Sequence, residues 1–118
     1  MRYLILFASL LLVGCKPGNT APTPLPAEQI PAAMRQAFAP APPAARQLVE
    51  EMLASLQATN YSAAYHGAEA VCATAGITRE QLLVTSRAML ALNDLLKQAS
   101  AQGDSTASEF INYQKHNR

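Results

Sequence analysis

The chain has few of the residues that carry chemistry. It holds two cysteines, Cys15 and Cys72, and two histidines, His66 and His116. So small a set argues against a metal centre, which commonly draws three or four His, Cys or carboxylate ligands together. No C-x-x-C pair, G-x-S-x-G elbow or glycine-rich phosphate loop occurs. Proline is absent after Pro43, although eight prolines lie between Pro17 and Pro43. Beyond the first residues there is no strand-like alternation of apolar and polar residues, which argues against a sheet. Neither sign of charge dominates, with nine basic against eight acidic residues. A nucleic-acid binder draws most of its affinity from a clustered cationic excess, and here the signs are interspersed. The reading is therefore a non-enzyme with no cofactor, no metal and no nucleic-acid partner.

What the chain does have begins at its start. Arg2 is followed by an apolar run, Tyr3 to Val13, and then by Gly14 and Cys15. That run suits a secretory signal and is too short for the roughly 20 apolar residues that span a bilayer. Leu12-Val13-Gly14-Cys15 resembles the lipobox of bacterial lipoproteins. No A-x-A-like cleavage site competes with it, and the polar stretch Lys16-Pro17-Gly18-Asn19 follows at once. The resemblance implies cleavage after residue 14 and lipidation of Cys15. At about 0.8 kcal/mol per buried CH₂, two or three acyl chains hold a protein on its leaflet. In a Gram-negative host, Lys16 in place of an Asp retention signal implies the periplasmic face of the outer membrane.

Removal of residues 1–14 takes one basic group and leaves eight of each sign. Once Cys15 is lipidated, Cys72 is the one remaining thiol, so no disulfide can form within the monomer. Residues 15–30 read as the lipidated cysteine and a Pro-rich tether, extended over 16–26 by roughly 30 Å of polyproline II. A helical domain is expected over 31–103, and a weakly ordered tail over 104–118. The expected fold class is all-α, with antiparallel helices near 31–38, 43–58, 61–75 and 78–102.

Each helix has its own signal. Ile30, Met34 and Phe38 recur every four residues around Pro31, which suits a first helical turn. Ala45, Leu48, Val49, Met52, Leu53 and Leu56 form an apolar stripe after Pro43. Asn60 can cap the next helix, whose apolar face is expected to hold Tyr61, Ala64, Tyr65, Ala68, Val71, Cys72 and Ala75. Thr78-Arg79-Glu80-Gln81 fits a capping box, with Ile77 placed to staple onto Leu82. The helix that follows carries Leu82, Leu83, Met89, Leu90, Leu92, Leu95 and Leu96 and stops before Gly103. After Asp104 only Phe110, Ile111 and Tyr113 are available for burial, which predicts a weak helix or a frayed end.

The segment from Thr59 to Tyr65 resembles the turn of a tetratricopeptide-type hairpin, in which G-D-Y-x-x-A opens the second helix. Asn60, Tyr61 and Ala64 match, and Thr59 stands in place of the glycine. The resemblance implies one hairpin of roughly 30 residues rather than a repeat array, which needs about three units.

Few candidate sites remain. His66 and Cys72 lie six positions apart, about 240° around a helix, and so cannot pair as base and nucleophile. Cys72 reads as an apolar core thiol, with an intermolecular disulfide as its other use. His66 and Glu69 share a solvated face, and Asn60-Tyr61-Ser62 reads as a cap rather than a glycosylation site. The function expected by elimination is a lipid-anchored helical interaction or structural module of the cell envelope. It would meet an envelope protein or a second copy through the neighbourhood of Met52, Tyr61 and Tyr65, residues whose spacing suits the core of the bundle as well. The alternative is a small-ligand carrier or sensor whose helices enclose an apolar cavity.

Overall fold

A computed structural model describes residues 21–117. Cys15 and the whole signal segment lie outside the described residues. The described chain is all-helical: a 3₁₀ turn at Ala27–Gln29, then α1 (Ile30–Ala37), α2 (Pro43–Gln57), α3 (Tyr61–Cys72), α4 (Arg79–Ala101) and α5 (Ser105–His116). None of these helices is long and apolar enough to cross a membrane.

Local chemistry sets most of the helix starts. Pro31 and Pro43 each occupy a first-turn position, where the missing N–H costs nothing. Asn60 Oδ1 accepts from the Ala63 N–H at 3.2 Å. At α4 the capping box is complete: the Gln81 N–H donates to Thr78 Oγ1 at 3.1 Å, and the Thr78 N–H donates to Gln81 Oε1 at 3.0 Å. Gly76 and Gly103, at φ of +79° and +94°, turn the chain ahead of α4 and α5.

Helices α2 to α5 each pack on the next, and α1 lies across α2 and α4. The main core joins Ile30, Met34 and Phe38 of α1 to Val49 and Met52 of α2, Ala64, Ala68 and Val71 of α3, and Ala88 and Leu92 of α4. Small residues let α3 approach closely. A Cβ built on Gly67 would stand 3.0 Å from Met52 Cβ and 3.2 Å from Met52 Cα.

The fold departs from the sequence reading at both ends. The tether is fastened well before residue 31. Leu25 is buried, its N–H donates to the Arg87 carbonyl at 3.2 Å, and Arg87 Nε donates to the Thr23 carbonyl at 2.9 Å. Leu25 is the one large apolar residue between Pro24 and Pro26, and docking on α4 removes it from water. At the other end the expected tail is a 12-residue helix. Asp104 Oδ1 accepts from the Ala107 N–H at 3.1 Å, and Ala107 and Phe110 form a second core cluster with Leu96.

Two internal details also differ. Helix α3 ends at Cys72, and Ala75 is exposed in the turn that follows. The buried stripe of α4 is Gln81, Thr85, Ala88, Ala91, Leu92 and Leu96, while Leu82, Leu83 and Leu90 are exposed. Two leucine stripes are available on this helix, and close packing against α1 and α3 favours the one rich in small residues. Ile77 packs on the main core, while Leu82 stays exposed.

Candidate functional site

The three residues expected to form an interaction surface divide between core and seam. Met52 is 1% exposed and belongs to the main core beneath Gly67, which removes it from any surface. Tyr61 and Tyr65 are half-buried and pack against both core clusters, closing the seam between α3, α4 and α5. Tyr65 meets the Phe110 ring edge-on, with centroids 5.3 Å apart and planes at 65°.

Phe110 organises the surface beside that seam. His66 stacks edge-on against it, with centroids at 5.0 Å, and His66 Nδ1 lies 3.1 Å from Glu69 Oε1. Ser62, His66, Thr106, Glu109, Phe110 and Tyr113 line a cleft of about 440 Å³ between α3 and α5. Tyr113 is 63% exposed at its edge, the most exposed large apolar side chain among the described residues. An aromatic floor with hydroxyl, imidazole and carboxylate groups at the rim suits docking of a mixed polar and apolar side chain. The sequence makes Phe110 and Tyr113 available for burial, on a weak helix or in a frayed end. The signal that places them is Asp104 as an N-cap directly after Gly103.

A smaller cleft of about 240 Å³ opens where two turns meet, with Thr59, Asn60, Ser62, Asp104 and Thr106 around a floor of Leu96 and Ala107. Its polar groups are largely spent on capping: Asn60 Oδ1 also accepts from Ser62 Oγ at 3.2 Å, and Asp104 Oδ1 holds the Ala107 N–H.

Cys72 is partly buried, with Sγ 3.8 Å from Met89 Sδ. Burial, and then the neighbouring Glu69 charge, push its thiol pKa above the ordinary value. The thiol is thereby held protonated and poorly nucleophilic at neutral pH. Among the described residues no three His, Cys, Asp or Glu side chains gather to hold a metal ion. Comparison with known proteins finds no matching protein family, no similar curated protein and no similar solved structure.

Proposed function

We propose that this chain is a lipid-anchored cell-envelope protein, held by Cys15 on the periplasmic face of the outer membrane in a Gram-negative host, whose helical domain binds another envelope protein. The observation that carries the anchor is the run Leu12-Val13-Gly14-Cys15 with its abrupt polar successor. The partner site is the α3–α5 cleft floored by Phe110 and edged by Tyr113, because there a large aromatic side chain stays exposed beside His66 and Glu109, neither of which caps a helix. Tyr61 and Tyr65 support that surface from below, by wedging α5 against the bundle.

The small-ligand reading asks for an enclosed apolar interior. Ala64, Ala68 and Ala88 are wholly buried in one core with larger side chains, and the clefts described above open at the surface, which supports a partner met there.

The test is photocrosslinking in envelope membranes, with the reactive group placed at Tyr113 and, as a control, at Gln57 on α2. One defined protein crosslinked from Tyr113 and not from Gln57 is the expected result. Crosslinks to abundant envelope proteins from both positions alike would overturn the partner site. Release of Cys15→Ala from the membrane fraction tests the anchor separately, and a Cys15→Ala protein that stays membrane-bound would overturn it.

A further inference from the structure

We propose that the outward face of α4, centred on Leu83 and Leu90, rests on the bilayer surface to which Cys15 is anchored; the proposal deepens the lipid-anchor reading and rests on it. Leu83 is 51% exposed and Leu90 37%, and neither belongs to either core cluster. Seven residues apart, they lie about 20° from each other around the helix and close to 180° from Leu92 in the buried stripe. Two leucines at the centre of this outward face are left exposed by the described fold.

The place where the tether leaves the domain says what covers them. The chain is pinned to α4 at Arg87, through the Thr23 carbonyl and the Leu25 N–H. Arg87 lies between the two leucines along the axis, about 6 Å past Leu83 and 4.5 Å before Leu90, and about 40° round from Leu83. Thr23 lies eight chain steps beyond Cys15. Fully extended, they span at most about 29 Å. An acyl-anchored Cys15 therefore keeps this face within one short tether of the lipid headgroups at all times.

The flanking charges fit that occupant. Arg79 and Lys97 lie about 30° and Arg87 about 50° from the leucine line, against Asp94 at about 30° on the same face. Their long stems can lie along the apolar surface while the cationic heads reach anionic lipid phosphates. A two-leucine patch is too weak to recruit a free protein to membranes. A short tether raises the effective concentration to the millimolar range, where a weak surface affinity is enough.

The experiment uses the 15–118 chain, which contains every described residue, with Cys72→Ala and with Cys15 coupled to a maleimide lipid in phosphatidylethanolamine/phosphatidylglycerol vesicles. The chain has no tryptophan, so Leu83→Trp supplies a single reporter, and Ala54→Trp on the exposed side of α2 is the control. The expected result is a blue-shifted emission from the position 83 reporter, quenched by brominated acyl chains. That shift should be lost without coupling and when Leu90→Glu is added, with the position 54 reporter unmoved. Solvent-like emission at position 83 in the coupled protein would overturn the proposal. So would a blue shift without vesicles, whether from a second copy, if it grows with protein concentration, or from the chain's own N-terminal residues, if it does not. Native lipidation is read independently by fractionation of Cys15→Ala. Retention of that variant on membranes removes the anchor and this proposal together, whereas its release combined with an exposed reporter overturns the docking alone.

Discussion

Gln81 Nε2 donates a hydrogen bond to the Ala37 carbonyl at 3.2 Å, across 44 residues of sequence, while its Oε1 accepts from the Thr78 N–H. One buried amide thus closes the start of α4 and ties it to the end of α1. Beside it, Thr85 Oγ1 donates to the Gln81 carbonyl at 2.7 Å. Gln81→Leu strands the Thr78 N–H and leaves the Ala37 carbonyl without this donor, and should cost about 2 kcal/mol. Gln81→Glu keeps the acceptor but sets a carboxylate against a carbonyl, so it should be less destabilising at pH 4, where a protonated carboxyl can donate, than at pH 7. Urea unfolding followed by circular dichroism at the two pH values checks both.

Helix starts were legible because capping chemistry acts over three or four residues. Asn60 and Thr78 each reach an N–H in their own first turn, and Ile30, Met34 and Phe38 share a face whatever lies opposite. The ends of the domain were not legible, because what holds them is distant in sequence. Leu25 is an isolated apolar residue among prolines, and only the Arg87 carbonyl and the α4 surface explain its burial. Helix α5 has weak periodicity of its own, and Leu96 and Tyr65 make its seat. The candidate surface residues could not be divided between core and seam for the same reason. Met52 and Tyr65 sit on apolar stripes that pattern alone cannot divide into core and surface, and the residue that divides them, Phe110, lies on the element that looked least ordered.

At Gly67, α3 lies close against Met52 of α2. Alanine there gains helix propensity of roughly 1 kcal/mol, but its Cβ would meet Met52 Cβ at 3.0 Å and Met52 Cα at 3.2 Å. The backbone contact has no rotamer to relieve it, so the helices must separate, and overpacking of this kind costs about 1–3 kcal/mol. Gly67→Ala should therefore lose about 1 kcal/mol net. A midpoint in urea equal to or above that of the parent protein would show that α2 yields at Met52.

Thr59 occupies the left-handed region at φ +58°, the only non-glycine residue at positive φ among the described residues. It stands where the tetratricopeptide-type turn carries glycine. A side chain in this conformation costs about 1–2 kcal/mol, offset by roughly 0.4–1 kcal/mol of extra unfolded-state entropy when glycine replaces it. Thr59→Gly is expected to raise the thermal midpoint by the small remainder, and Thr59→Val to lower it.

Arg35 and Glu50 form a bidentate ion pair between α1 and α2, with Nε and Nη2 each 3.0 Å from a carboxylate oxygen. The hydrogen bonds from Arg35 are the largest influence and hold the Glu50 carboxyl below its ordinary pKa; desolvation opposes them, and the Arg35 charge adds a smaller lowering. A depressed carboxyl contributes stability that is present above its unfolded value and lost as pH falls through its folded one. Both groups are well exposed, so the contribution is small and screened by salt. The stability difference between the parent protein and Glu50→Gln should be largest at neutral pH and low ionic strength, and should shrink below pH 4 and in 1 M salt. A difference independent of both would assign the effect to packing.

Phe110 holds α5 to the bundle. It is 8% exposed, packs with Leu96 and Ala107, and meets Tyr65 and His66 edge-on. Phe110→Ala removes a ring from a buried site, a change that costs about 3 kcal/mol or more in well-packed cores. The consequence here should be local first, because α5, the last of the described helices, is held mainly by this one small cluster. Amide hydrogens of α5 are expected to exchange at nearly unfolded rates in Phe110→Ala, while those at the centre of α4 keep much of their protection. Tyr65 would then lose its cover and the α3–α5 cleft its floor. The same substitution should accordingly abolish the specific crosslink from Tyr113 while leaving a lipidated chain on the membrane. Loss of protection throughout α4 as well would mean that the two core clusters unfold as one unit.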